Sequence, residues 1–161
     1  MNTGLAAVAA LLHDVDKLPA AGAPQDLRHG EGSAAWLEAR GWPGLAEAVR
    51  HHPVTRLAES GHPAWLDGAS NEARIVAYAD KRAGQHLEPM SDRFASWRRR
   101  YPPTPVGHRG PTGAGWDVET AALVEERALA LEREVCHLAG VAAHEVRRLR
   151  WSRRALREAV A

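Results

Sequence analysis

The stretch Thr3-Gly-Leu-Ala-Ala-Val-Ala-Ala-Leu-Leu-His-Asp-Val-Asp-Lys17 decides how the chain is read. Leu5, Val8, Leu11 and Leu12 recur at helical spacing, and Thr3 is a suitable N-cap. Residues 3–17 are therefore expected to form one helix. Working outward, the same periodicity predicts helices over 29–40, 43–52, 71–86, 89–100, 117–139, 143–150 and 152–160. Gly41 and Gly140 serve as stops, Pro43 opens its helix, and Ser70 and Ser152 are caps. Residues 18–28, 53–69 and 101–115 read as loops, the last holding four prolines and four glycines. No strand-like alternation of useful length occurs. The fold class expected is all-α, with a helical core over 1–100, a Pro/Gly loop over 101–115, and C-terminal helices over 116–161 packed on the core.

The 161 residues suit one domain. Cys136 is the only cysteine, which excludes an internal disulfide and a cysteine-based zinc cluster. It also fits a reducing compartment. No apolar run approaches the ~20 residues of a membrane span, and the N-terminus lacks a secretion leader. A cytoplasmic protein with no membrane role is expected. The net charge of +1 gives no reason to invoke nucleic acid. Nine histidines are many for this length and need an explanation.

His13-Asp14, His29, His51-His52 and Asp80 form an ordered set, each at a helix end or on a helix. Imidazole with carboxylate suits zinc, iron, nickel, cobalt or manganese. A carboxylate can bridge two cations, and a pair of cations can clamp a phosphoryl group. Lys17, one turn from His13 and Asp14, can reach the same anion. Among the arginines, Arg82 beside Asp80 is the better phosphate candidate, ahead of Arg93.

In this order the set resembles the HD-domain superfamily of metal-dependent phosphohydrolases. His13-Asp14 match the motif that names it. Ala10-Leu-Leu-His-Asp-Val-Asp-Lys17 is similar to its Leu-Leu-His-Asp-Ile-Gly-Lys segment, with Asp16 where glycine is usual. His29, His51 and His52 resemble the extra histidines of two-metal members, and Ala79-Asp80-Lys81 resembles the segment with the final aspartate. The likeness covers about residues 5–86. It implies an HD-type helical bundle with a C-terminal helical extension and a central site. His13, Asp14 and Asp80 would hold one divalent transition metal. Asp14, as bridge, with His29 and His51 would hold a second. His52 would bind metal or substrate phosphate, and Lys17 would neutralise phosphate or transition-state charge. The nucleophile would be a metal-bound hydroxide.

One departure matters. The family carries a first histidine on a helix preceding the His-Asp pair, whereas twelve residues precede His13 here and none is histidine. Three readings compete: a chain shortened at its N-terminus, a site completed by water, or substitution by His137 or His144. Loss of that helix would expose apolar surface for a second copy to cover, making a homo-oligomer. His62, His86 and His108 are expected at the surface, and Trp65 as a core residue with a lesser prospect of lining a substrate pocket. The arginines after residue 140 outnumber their acidic neighbours and read chiefly as a solvated helix face. The function expected is hydrolysis of a phosphate ester, of a nucleotide or small phosphorylated metabolite. The alternatives are a non-catalytic regulatory module that binds metal or nucleotide, and a diiron oxygenase.

Overall fold

The computed structural model describes residues 1–83, 87–108 and 115–146. Seven α-helices follow one another in them: α1 (Thr3–Leu12), α2 (Glu31–Glu38), α3 (Pro43–Arg50), α4 (His62–Gly68), α5 (Asn71–Arg82), α6 (Met90–Arg100) and α7 (Val118–Ala139). Short 3-10 turns span Val15–Lys17, Pro19–Ala21 and Val54–Ala58. The described residues contain two isolated β-bridges and no strand, so the fold is all-α. Residues 143–146 form a turn where the helix over 143–150 is expected to begin. The rest of that helix, the helix expected at 152–160 with its Ser152 cap, His86 and the C-terminal arginines lie outside the described residues.

Two apolar clusters meet at α5. Val76 joins Ala9, Ala34, Leu37, Ala46 and Val49 from α1, α2 and α3. Ala77 and Tyr78, the next two residues along the helix, join Met90, Phe94, Val124 and Leu131 from α6 and α7. Successive helical residues point ~100° apart, so one helix serves both clusters. Alanines dominate the first cluster and let its helices approach closely. On the outer side of α1, Val8 and Leu11 are exposed.

The expected helix over 3–17 is cut short. Its cap is Asn2, whose side chain accepts the Leu5 N–H, rather than Thr3. The helix ends at Leu12 because buried Ser33 of α2 intervenes: its hydroxyl donates to the His13 carbonyl (2.7 Å) and faces the Asp16 N–H (3.2 Å). A side chain inserted there replaces the helical hydrogen-bond ladder and turns the chain into its 3-10 step. Ser70 caps α5 through the Ala73 N–H, and Gly140 ends α7 in the left-handed region, as expected.

The stretch 53–69 is not an open loop. Pro53 leads into the 3-10 turn, and Pro63 occupies the first turn of α4. Proline suits the first turn of a helix because the N–H it lacks has no partner there. Arg127 of α7 holds this segment by donating to the carbonyls of Leu57 (2.6 Å) and Glu59 (2.7 Å). His62, expected at the surface, is only 4% exposed and packs on Trp65. Burial, with Arg127 and Lys81 nearby, pushes its imidazole down to about 4.

Arg82 and Glu132 form a buried ion pair between α5 and α7. Glu132→Ala should lower the unfolding free energy in urea by about 3 kcal/mol or more, since it leaves a buried guanidinium unpaired. For His62, the unfolded chain takes up a proton near the ordinary value of 6.5, whereas the folded chain resists until about 4. Stability should therefore fall as pH drops from 6.5 towards 4 and then level off. His62→Phe should remove that component, read as a flatter urea midpoint across the window.

Candidate metal centre

Three imidazoles converge where the ends of α1 and α3 and the lead into α2 meet the C-terminal half of α5. His13 follows α1, His29 precedes Gly30 at the start of α2, and His52 follows α3. Each ring has one nitrogen committed outside the centre. His13 Nδ1 lies 2.7 Å from the Ala10 carbonyl, and His52 Nδ1 2.7 Å from the Val49 carbonyl. His29 Nδ1 lies 3.0 Å from both Asp16 oxygens. A carbonyl or carboxylate there requires Nδ1 to carry the proton, leaving each Nε2 with a free lone pair.

Those Nε2 atoms face one another and the acids. His29 Nε2 and His52 Nε2 are 3.1 Å apart, and each is 3.3 Å from Asp14 Oδ1. His13 Nε2 is 3.6 Å from Asp14 Oδ1 and from Asp80 Oδ1. Asp14 Oδ1 is buried and no donor meets it with hydrogen-bond geometry. Facing lone pairs repel unless a proton or cation lies between them. Ligand atoms ~2.0–2.1 Å from one ion stand ~2.9–3.4 Å apart, the range most of these separations occupy. The donor set therefore fits a metal. Two groups, His13-Asp14-His52 and Asp14-Asp16-His29, each have ligand atoms within 4.8 Å of one another. Asp14 belongs to both, as a bridging carboxylate would.

The charges follow from this crowding. Asp14 stays well below the usual carboxylate range: burial opposes ionisation, but His29, His52 and Lys17 outweigh it. Burial likewise opposes ionisation of Asp80, and His13 and Lys81 overcome it. His13 is raised, chiefly by Asp80. His29 is also raised, since Asp14 and Asp16 overcome the effect of burial. His52 is lowered by burial. Lys17 Nζ is 2.9 Å from both oxygens of Asp14. A pocket of about 600 Å³ opens over the group, lined by His13, Asp14, Lys17, His29 and Asp80 and further out by Trp97.

His13, Asp14, His29, His52, Asp80 and Lys17 are thus brought together. His51 is not: its ring stacks on Trp65, centroids 5.3 Å apart, at a separate pocket of about 380 Å³. The chain turns inward at His52 through the Val49 carbonyl, and the neighbouring residue consequently faces away. Trp65 lines that second pocket and not the metal pocket. Arg82 is also displaced from its expected role. It lies ~200° around α5 from Asp80, buried against Glu132 and over the Tyr78 ring. His137 and His144 are exposed and belong to neither group, so neither replaces a ligand.

Asp16 is the residue whose role sequence reasoning missed. Its carboxylate accepts the Gly30 N–H at 2.8 Å as well as holding His29. Gly30 has φ +87°, and a Cβ there would meet the Arg50 carbonyl at 2.7 Å, so the turn that presents His29 needs glycine. Lys81 was overlooked too. Fully buried, it donates to the His52 carbonyl (2.7 Å) and the Ala77 carbonyl (3.0 Å), and burial brings it down to about 8. The available signal was an acid two residues after Asp14, and a lysine beside Asp80 in an arginine-rich chain. Comparison with known protein families, with curated proteins and with solved structures found no match.

Asp16→Asn keeps the size of the side chain and removes its charge. It should weaken metal binding by about 10–100-fold, the usual effect of losing a group that orients a ligand histidine. Metal titration checks this, with circular dichroism expected to remain unchanged.

Proposed function

We propose that the chain is an HD-type, metal-dependent phosphohydrolase that cleaves a phosphate ester of a nucleotide or small phosphorylated metabolite. One observation carries the reading. Three imidazole Nε2 atoms and a buried Asp14 oxygen, which is ion-paired with Lys17 but met by no donor with hydrogen-bond geometry, converge at the base of a pocket that Lys17 also lines. His13, Asp14, His52 and Asp80 would hold one divalent ion, and Asp14 with His29 a second. The ion supplies Lewis acidity towards a phosphoryl oxygen and makes water a better nucleophile at neutral pH.

The chain's own residues do the rest. His52, 1% exposed, is a ligand in this reading and not a phosphate contact. Asp16 sets the direction of His29. The Lys17 side chain, 57% exposed, can leave Asp14 for a substrate oxygen and balance charge developing on phosphorus. The oxygen of water forms the new bond to phosphorus as that water loses a proton to solvent, the ester P–O bond breaks, and the departing alkoxide takes up a proton from solvent. The order of His-Asp, His, His and Asp along the chain and the helical fold support the HD reading. No helix among the described residues is long and apolar enough to cross a membrane.

The test is metal content together with turnover of a generic phosphate ester. Purified protein should hold one or two divalent transition ions per chain and hydrolyse the ester. Asp14→Ala should lose both properties, and normal hydrolysis by that variant would remove this site from consideration. Carefully prepared protein that binds no metal would favour a regulatory module. Iron with an oxygen-dependent colour change would favour an oxygenase.

A further inference from the structure

We infer that Arg93 is a phosphate-binding residue of this pocket, and that the pocket takes a single phosphate carried on an uncharged organic group; the inference rests on the phosphohydrolase reading above. Arg93 lies on α6, far in sequence from the metal group, and lines the same 600 Å³ pocket as Asp14, Lys17 and Asp80. Arg28, Arg50, Arg56, Arg82 and Arg98 each meet a carboxylate, and Arg74 and Arg127 each donate to backbone carbonyls. Arg93 has no carboxylate within 4.0 Å among the described residues. Arg40 and Arg99 likewise lack a carboxylate, donating to the Trp36 carbonyl and the Ser96 hydroxyl, but neither lines this pocket. Among the described residues the Arg93 Nε, like that of Arg82, is buried without a partner, and one terminal nitrogen of Arg93 reaches the Ala83 carbonyl only at 3.4 Å.

A half-buried guanidinium with unused donors is costly unless something supplies acceptors. Phosphate matches it, because two guanidinium N–H groups can address two phosphate oxygens at once. Position supports the same ligand. Ala83, which Arg93 touches, lies three residues beyond Asp80, ~4.5 Å further along the axis of α5. Asp80 and Arg93 thus border the same pocket, in which a phosphoryl group at the metal group would be received. The guanidinium is held in place over the Trp97 ring, 5.1 Å from its centroid.

The remaining wall selects what the phosphate is attached to. Val54, Ala79, Ala83 and Trp97 are apolar, and Thr55 adds a hydroxyl. Lys17 and Arg93 are the lysine and arginine lining this pocket among the described residues. Both serve the phosphate at the metal group, and among the described residues no further lysine or arginine there meets a second one. A polyphosphate chain is disfavoured, and a flat or apolar leaving group is accommodated.

Inorganic phosphate titrated calorimetrically into the manganese-loaded protein tests this. Wild type should bind it. Arg93→Gln, which keeps much of the stem against Trp97, should weaken binding about tenfold or more, with unchanged metal content and circular dichroism. Arg93→Lys should recover part of the loss. Phenyl phosphate should displace phosphate more tightly than pyrophosphate does. Equal phosphate binding by wild type and Arg93→Gln would overturn the role of Arg93 while leaving the phosphohydrolase reading intact. Tighter binding of pyrophosphate would overturn the single-phosphate selectivity. Metal-loaded wild type that binds no phosphate would overturn both this inference and the reading beneath it.

Discussion

Three imidazoles have their Nδ1 atoms engaged by the Ala10 carbonyl, the Asp16 carboxylate and the Val49 carbonyl. That commitment leaves three Nε2 lone pairs and the Asp14 oxygen directed at one another. Facing lone pairs of this kind repel unless a proton or a cation lies between them, and a metal ion would satisfy them together. Free histidines relieve such crowding by rotating. Here rotation would break the hydrogen bond that holds each ring from behind. The backbone around them is fixed in turn by Ser33, Gly30 and Lys81.

The helices exist, in this sense, to hold their ends. His13, His29 and His52 all lie just outside helices, where the backbone can turn a side chain towards a common point. Asp80 alone comes from a helix body, and α5 is the element packed by both apolar clusters. The helix shared by both clusters thus supplies the acid that faces His13. An ion-pair network, with Arg56 meeting Glu31 and Glu59 and Arg50 meeting Glu31 and Glu38, ties the turn after His52 to α2. Behind α5, the Arg82–Glu132 pair joins the amino-terminal helices to α7.

Much of this was legible in the residues. Apolar spacing marks α1, α2, α3, α5, α6 and α7, because each buries a stripe of one face. The Ser70 cap and the Gly140 stop act through local backbone chemistry, and local chemistry can be read locally. The prolines of 53–69 were harder, since proline ends one helix and begins another. Only the packing of α7 on that segment shows that Pro53 and Pro63 begin elements. The break after Leu12 was invisible for a similar reason: the hydroxyl that causes it arrives from Ser33.

The sequence by itself determined that the chain is helical and that histidines and aspartates suited to a metal are spaced along its first half. Side-chain type and helical periodicity contain that much. Tertiary structure decided which of two adjacent histidines serves the site. His51 and His52 are chemically identical, but the chain leaving α3 points one at Trp65 and the other at Asp14. It likewise turned Asp16 into the support for His29, buried Arg82 against Glu132, and left Arg93 facing the pocket with donors unused. Direction is the reason. Residue identity fixes what a side chain can bind, and only the packed backbone fixes where it points.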